Sequence, residues 1–204
     1  MQTVIKVGLM LASSLLLGGC SETIEWKEEV LLSTGQKIVA ARSVERIPAE
    51  LGHRRATSYE IDVQYPDTVK KVSWEGEFGV SPIMLDFKDG QAFIVALPMM
   101  CDAKIKEFSI KEFPYIFMKS SDGRRWNVVP PDEFPAEFKR SNLMASYDEY
   151  RIGEGKYQSL DAVSQQNLFL EKATDGFFQV TIPRSPDEWR YKYDKAYKGC
   201  AQQR

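Results

Sequence analysis

Three short turn sequences, each lying between apolar segments, constrain the fold of this chain more than any other feature. They are Ser33-Thr34-Gly35, Asp89-Gly90 and Asp122-Gly123. Because glycine readily adopts the positive φ that tight turns need, a short glycine-containing loop between two apolar runs predicts an antiparallel hairpin. Three hairpins in succession predict an antiparallel sheet, and they disfavour the regular alternation of strand and long helix that a doubly wound fold requires.

The spacing of apolar residues predicts the strands themselves. The runs at residues 26–32 and 36–44 flank the first turn, and the clearest two-residue alternation covers residues 59–65. Such alternation is typical of a strand with one buried face. Residues 92–97 are apolar throughout, which predicts a central strand that is buried on both faces.

One segment near the end of the chain has helical periodicity. It follows Ser159, a favourable N-cap, and places Val163 and Leu170 on one face. Residues 42–55 predict a loop or short helical turn, and residues 178–182 predict a late strand. The predicted fold class is therefore α+β or mostly β, with an antiparallel, hairpin-rich sheet and one late helix.

The first twenty residues have the layout of a secretory signal. Lys6 provides a basic start, residues 7–17 are apolar, and Leu17-Gly18-Gly19-Cys20 places a cysteine directly after small residues. This stretch resembles the lipobox of bacterial lipoproteins. The resemblance implies cleavage before Cys20 and acylation of that cysteine, usually with a diacylglyceryl group and an amide-linked chain.

Two other interpretations of the leader are weaker. A transmembrane helix needs about 20 apolar residues, whereas here Lys6 and Glu22 bound a shorter run. An ordinary cleaved signal would make the position of Cys20 incidental. Within the lipoprotein family, an Asp after the cysteine favours retention in the inner membrane, so Ser21 favours the outer membrane.

These observations divide the chain into three parts. Residues 1–19 are the expected signal peptide, residues 20–25 the acylated cysteine and a short tether, and residues 26–204 a single globular domain. Five extended residues reach at most about 18 Å, so the domain is expected in the periplasm, close to its membrane. Near-neutral charge, with a net value of −2, argues against binding to nucleic acid.

Two cysteines remain once Cys20 carries lipid. Cys101 and Cys200 form an even pair in an oxidising compartment, so the sequence predicts a disulfide between them. Closing a loop of about 100 residues stabilises a domain by about 4–5 kcal/mol in the chain-entropy model. The alternative is two free, buried thiols.

The sequence predicts no catalytic residue, no metal site and no cofactor. His53 is the sole histidine, and it stands beside Arg54 and Arg55, which disfavour the protonated form that a general base must pass through. A nucleophilic serine would be expected in a Gly-x-Ser-x-Gly turn, which the chain lacks. A zinc site would need more histidine or cysteine ligands than the chain offers.

Paired carboxylates are the remaining route to an enzyme. Glu75 and Glu77 lie next to Trp74, and Asp86 and Asp89 lie near a turn. Glycoside hydrolysis needs two carboxylates at a defined separation, and acidic neighbours are common in a chain with 29 of them. A glycan-binding or glycan-hydrolysing domain therefore stays an alternative, as does an inhibitor of lytic enzymes.

The aromatic tail is the predicted contact surface. It contains Trp189, Tyr191, Tyr193 and Tyr197 in alternation with charged residues. Trp and Tyr are favoured anchors in protein interfaces, although aromatic residues also fill the cores of β-rich domains. The leading hypothesis is an envelope lipoprotein, held to the membrane by acyl chains on Cys20, that binds or scaffolds another envelope protein without catalysis.

Overall fold

Strands dominate the part of the chain that the computed structural model describes, which comprises residues 21–48, 54–66, 70–77, 80–98, 115–145, 157–174, 177–185 and 187–188. In chain order the strands are β1 (Glu22–Leu31), β2 (Lys37–Pro48), β3 (Arg54–Gln64), β4 (Lys71–Glu77), β5 (Val80–Lys88), β6 (Gln91–Pro98), β7 (Ile116–Ser120), β8 (Asn127–Val128) and β9 (Tyr157–Gln158). A 3₁₀ turn (Pro131–Glu133) and one helix, α1 (Leu160–Ala173), follow β8 and β9 respectively. Within these described residues the fold is mostly β with a single late helix, as predicted.

The strands form two sheets. Sheet A has the order β4-β3-β2-β1-β9, and sheet B has the order β5-β6-β7-β8. All neighbouring strands are antiparallel except β1 and β9, which are parallel. The three predicted hairpins are confirmed, and Gly35, Gly90 and Gly123 have positive φ in their turns.

The two sheets pack face to face as a sandwich. Alternate residues of sheet A and of sheet B meet in one core, which includes Ile24, Trp26, Val44, Ile61 and Trp74 on one side and Leu85, Phe87, Ile94, Ile116 and Met118 on the other. This face-to-face burial follows from the two-residue alternation of the strands.

Sheet B is also covered on its second face. Residues 129–145 and 177–182 cross this face in irregular conformation and form a second core with it. Phe134 packs edge-to-face against Phe93 at 5.3 Å and against Phe117 at 5.1 Å between ring centroids. Strand β6 is therefore buried on both faces and lies between β5 and β7, as its apolar run predicted.

Each edge of the sandwich is closed differently. At the β4 edge, the backbone N–H of Ser73 donates to the Gly123 carbonyl at 2.8 Å, and Trp126 Nε1 donates to the Ser73 carbonyl at 2.8 Å. At the opposite edge, Asn142 Nδ2 donates to the carbonyls of Leu31 at 3.0 Å and Leu85 at 2.8 Å. A single amide side chain thus joins β1 of sheet A to β5 of sheet B.

The start of β1 differs from the sequence prediction. The strand begins at Glu22, where it pairs with Arg46, and not at Trp26. Ile24 points inward between the outward-facing Thr23 and Glu25, so the alternation extends upstream of the first large aromatic residue. Most of the predicted tether belongs to the sheet.

Two further segments also differ. Residues 42–48 and 54–55 are strand and not loop, because β2 pairs with β3 as far as Pro48 and Arg54, beyond an irregularity in register between Glu45 and Arg46. The predicted late strand is reduced to one bridge between Arg140 and Thr181. Phe178 and Ile182 are nevertheless buried, since this segment covers sheet B instead of pairing along it.

Candidate functional site

One depression in the described residues, which we name the distal groove, has a volume of about 610 Å³. It lies where the β1–β2 turn, residues 137–142 and the first half of α1 meet, at the end of β1 remote from Glu22. Its apolar lining consists of Leu31, Leu32, Phe138, Leu160, Val163 and Val180. Its other lining residues are polar or charged, and a concave site that combines apolar surface with convergent polar groups is typical of ligand recognition.

Asp86 is the buried acid of the distal groove. Its Oδ2 accepts a hydrogen bond from the Ser33 backbone N–H at 2.7 Å, and its Oδ1 accepts one from the Phe87 N–H at 2.8 Å. Burial raises the pKa of Asp86 above its usual range, and these two donors offset that effect only in part. Because both oxygens are engaged, this carboxylate holds the β1–β2 turn against β5.

Two asparagines fix the walls of the groove. Asn142 bonds to Leu31 and Leu85, as described above, and its Oδ1 also accepts from the Leu85 N–H at 2.9 Å. Asn167, buried on α1, accepts from the Ala145 N–H at 3.1 Å and donates to the Leu143 carbonyl at 2.8 Å. The irregular wall is thereby bonded to both β5 and α1.

The rim of the groove carries charged side chains. Lys88 Nζ lies 2.7 Å from Glu137 Oε1, and this contact raises the pKa of Lys88 and lowers that of Glu137. Both side chains are exposed, so the pair contributes little to stability. A second depression of about 350 Å³ shares Leu32 and Phe138 with the distal groove and extends it toward Tyr65.

The Glu29 carboxylate already binds the N-terminus of α1. Glu29 Oε2 accepts from the Leu160 N–H at 3.0 Å, and Glu29 Oε1 accepts from Tyr157 Oη at 3.0 Å. The Leu160 N–H is the main reason that the pKa of Glu29 is lowered. Ser159 caps the helix as predicted, accepting from the Ala162 N–H at 3.4 Å. The helix terminus therefore orients α1 and is not an open anion site.

A buried ion pair lies on the inner face of sheet A. Arg42 Nη1 is 2.6 Å from Glu28 Oε1, and both side chains are 0% exposed. Trp26 Nε1 donates to Glu28 Oε2 at 2.8 Å, and the Met144 N–H donates to Glu28 Oε1 at 3.2 Å. Arg42 Nε lacks a hydrogen-bond partner among the described groups. Closed off from solvent, this cluster is structural.

Sequence reasoning missed this pair, although a signal for it exists. Glu28 shares the inward parity of Ile24 and Trp26 on β1, and Arg42 shares that of Val44 on β2. Opposite charges at inward positions of two strands that form a hairpin predict a buried contact.

The structure describes only some of the residues that were singled out from the sequence. Those predicted for lipidation, the disulfide and the contact surface all lie outside the described residues: Cys20, Cys101, Cys200, Trp189, Tyr191, Tyr193 and Tyr197. Trp74 is buried in the core, whereas its neighbour Glu75 is exposed on the opposite face of sheet A. These two side chains therefore cannot line one sugar site.

The described residues contain no group of three or more His, Cys, Asp or Glu side chains that could hold a metal ion. No helix among them is long and apolar enough to cross a membrane. Comparison with known proteins adds nothing further, since no protein-family model, curated protein or solved structure matches the chain.

Proposed function

We propose that this chain is a lipid-anchored protein of the bacterial cell envelope that binds another envelope protein in its distal groove, without catalysis. Its anchor is the acylated Cys20, in the outer membrane, and its domain lies in the periplasm. The residues Leu17-Gly18-Gly19-Cys20 support the anchor. The fold is compatible with cleavage at this point, because β1 begins at Glu22.

The burial and hydrogen bonding of Asp86 support a binding role over a catalytic one. It is the buried acid of the groove, and backbone N–H groups engage both of its oxygens. A general acid or base must exchange its proton with a substrate, which requires an accessible oxygen. What the groove offers instead is apolar surface between fixed walls, and this favours recognition of a partner.

The position of the groove supports a partner in the periplasm. Strand β1 has ten residues between the Glu22 end and the groove. At about 3.3 Å per residue, this separates the groove from the anchored end by about 30 Å along the strand. The groove thus lies at the end of β1 that is remote from the proposed anchor.

The anchor is tested by mass spectrometry of the N-terminal peptide and by cell fractionation. We expect a mature chain that begins at acylated Cys20 and sediments with the outer membrane. The variant Cys20→Ala should be unacylated and absent from the membrane fraction. A wild-type chain that keeps residues 1–19, or that has a free Cys20 thiol, would contradict the anchor.

The binding role is tested by in-cell cross-linking, purification and identification of the captured molecule. Leu31 lines the groove and is 45% exposed, whereas Val128 is 55% exposed on β8, at the far edge of sheet B. We expect a discrete protein that Leu31→Glu loses and Val128→Glu retains. Equal capture by both variants would remove the groove from the proposal, and recovery of glycan fragments would favour the glycan alternative.

A further inference from the structure

Asp86 is a carboxylate that the described residues bury without a counterion. The residue is 3% exposed, and its hydrogen-bond donors are neutral groups of Ser33 and Phe87. No lysine or arginine of the described chain forms an ion pair with it. Glu28, the other buried acid among these residues, has the guanidinium of Arg42 at 2.6 Å. Because buried charges are normally paired, the state of Asp86 calls for an explanation.

The side chain of Asp86 lies on the face of β5 that borders the distal groove. Its neighbours Leu85 and Phe87 belong to the core between the two sheets. Asp86 itself is the cross-strand partner of Phe93, which belongs to the second core, under the covering residues 129–145. Phe138 of that covering segment lines the groove together with Asp86. The carboxylate therefore belongs to the inner wall of the groove and not to the core between the sheets.

The other charged residues of the groove lining balance one another. They are Glu137, Asp161, Lys139 and Arg140, two acids and two bases, and all four are exposed, where water and salt screen them. A buried charge acts through a lower dielectric than an exposed one, so Asp86 dominates the potential inside the groove. Burial raises the pKa of Asp86, and the charge of Glu137 raises it further. The groove is thus negative at its inner wall.

Aromatic and apolar surface lies next to this acid. Phe138 lines both the distal groove and the second depression. In that second depression, Tyr65 and Phe87 meet edge to face, with their ring centroids 4.6 Å apart. Aromatic rings attract cations, and the long stems of lysine and arginine side chains pack well on apolar surface. A buried acid among such walls is complementary to a cation on an apolar stem.

We infer that the distal groove recognises its partner by a lysine or arginine side chain, with the cationic end beside Asp86 and the stem against the apolar walls. This inference rests on the proposed binding function and names the chemistry of the partner. The cation does not displace the donors on Ser33 and Phe87, because opposite charges attract through space in a site of low dielectric. An apolar or acidic segment would leave the buried charge uncompensated, so the groove discriminates against it.

A pair of small probes tests this preference for a cation. Benzamidine carries a planar cation on an aromatic ring, and benzamide has nearly the same shape without the charge. Each probe is titrated into the full mature chain in detergent micelles, at a mildly alkaline pH that favours the ionised form of Asp86. The backbone N–H signals of Ser33 and Phe87, followed by NMR, report binding at the inner wall of the groove.

We expect benzamidine to shift both signals and to bind several-fold more tightly than benzamide. Asp86→Asn should abolish this difference in affinity. Glu137→Gln should reduce the difference, because it leaves the rim of the groove with one acid and two bases. Glu133→Gln is the matched control, since Glu133 forms a similar exposed pair with Lys119, as Glu137 does with Lys88, but is not among the groove lining residues.

Equal binding of the two probes to the wild-type chain would overturn the inference, and so would a difference that persists in folded Asp86→Asn. If that variant does not fold, the two glutamate variants decide, and equal effects of Glu137→Gln and Glu133→Gln would count against the groove. Failure of the proposed function looks different. In that case Leu31→Glu retains the cross-linked protein in cells, whichever probe the groove prefers.

Discussion

Sheet A and sheet B bury their strands in different ways. Strands β1 to β3 of sheet A bury one face and expose the other, so that charged and apolar side chains alternate along them. Sheet B is buried on both faces, and residues 92–97 of β6 are buried without interruption. In sheet A, an odd or even position along the strand therefore determines whether a residue is buried or exposed. In sheet B, burial also depends on the covering layer formed by residues 129–145 and 177–182.

The two sheets also accommodate a guanidinium group differently. In sheet A, the carboxylate of Glu28 compensates the charge of Arg42. Over sheet B, Arg184 donates to the carbonyls of Pro131 at 3.1 Å, Phe134 at 3.2 Å, Pro135 at 2.7 Å and Phe138 at 2.8 Å. In sheet A, a carboxylate thus compensates the charge of the buried guanidinium group. In the covering layer, the dipoles of four backbone carbonyls do so.

Removing Arg42 should have the largest effect on stability. The variant Arg42→Met leaves the Glu28 carboxylate buried without its counterion, and we expect the free energy of unfolding to fall by about 3–5 kcal/mol. Urea denaturation measures this change. The double variant Glu28→Leu, Arg42→Met removes both charges and should recover most of the loss. A double variant as unstable as the single one would show that packing, and not charge, dominates here.

Removing Arg184 should lower the free energy of unfolding by less than removing Arg42 does. Four charge-assisted hydrogen bonds are lost in Arg184→Met, but water can reach some of the freed carbonyls because the site is only half-buried. We expect a loss of about 2–3 kcal/mol. The exposed Arg140 supplies the control, and Arg140→Met should change stability little. Similar losses in both variants would mean that the carbonyl contacts do not hold the covering layer.

A glycine variant probes the packing of the core itself. Trp74 covers Gly76 so closely that an added Cβ would lie 2.1 Å from Trp74 Cη2, and Gly76→Ala should destabilise the domain by about 1–3 kcal/mol. The comparison is Gly35→Ala, where no atom lies within 4 Å but φ is +85°. That turn should lose only about 1 kcal/mol, from backbone strain alone. Calorimetric melting of both variants separates steric from conformational cost.

The smallest expected effect concerns acid stability at the β7–β8 turn. Asp122 accepts from the N–H groups of Arg125 at 2.8 Å and Arg124 at 2.9 Å, and these bonds lower its pKa from 3.8 to about 2. A depressed folded-state pKa contributes stability above the unfolded value, which is lost as pH falls toward 2. In Asp122→Asn, melting temperature should depend less on pH between about 4 and 2. An unchanged pH profile would contradict this role.

Local signals were sufficient to predict the hairpins and the helix. The Asp-Gly turns, the N-cap Ser159 and the uninterrupted apolar run of β6 each specify structure over a few neighbouring residues. The start of β1 and the extent of β2 were missed because charged side chains interrupt the apolar runs. If the alternation of inward and outward positions is followed instead of apolar content, Glu28 and Arg42 are both predicted on the inner face of sheet A.

The distal groove could not be predicted in the same way. Leu31, Asp86, Asn142 and Asn167 come from four separate segments, and Asn142 Nδ2 bonds across 111 residues of sequence to Leu31. The covering layer has no periodicity of its own because its residues are placed by tertiary contacts. Sequence reasoning singled out Asp86 as a member of a carboxylate pair, whereas in the structure it holds the β1–β2 turn through its bond to the Ser33 N–H.

The amide of Asn142 also imposes an order of assembly. Hairpin β1–β2 and hairpin β5–β6 can each form from neighbouring chain, but the edge between β1 and β5 stays open until a residue far along the sequence arrives. Closing so distant a contact is slow, since the loop entropy is lost before the bond is gained. The two hairpins must therefore wait, with a sheet edge unprotected, for the segment that carries Asn142.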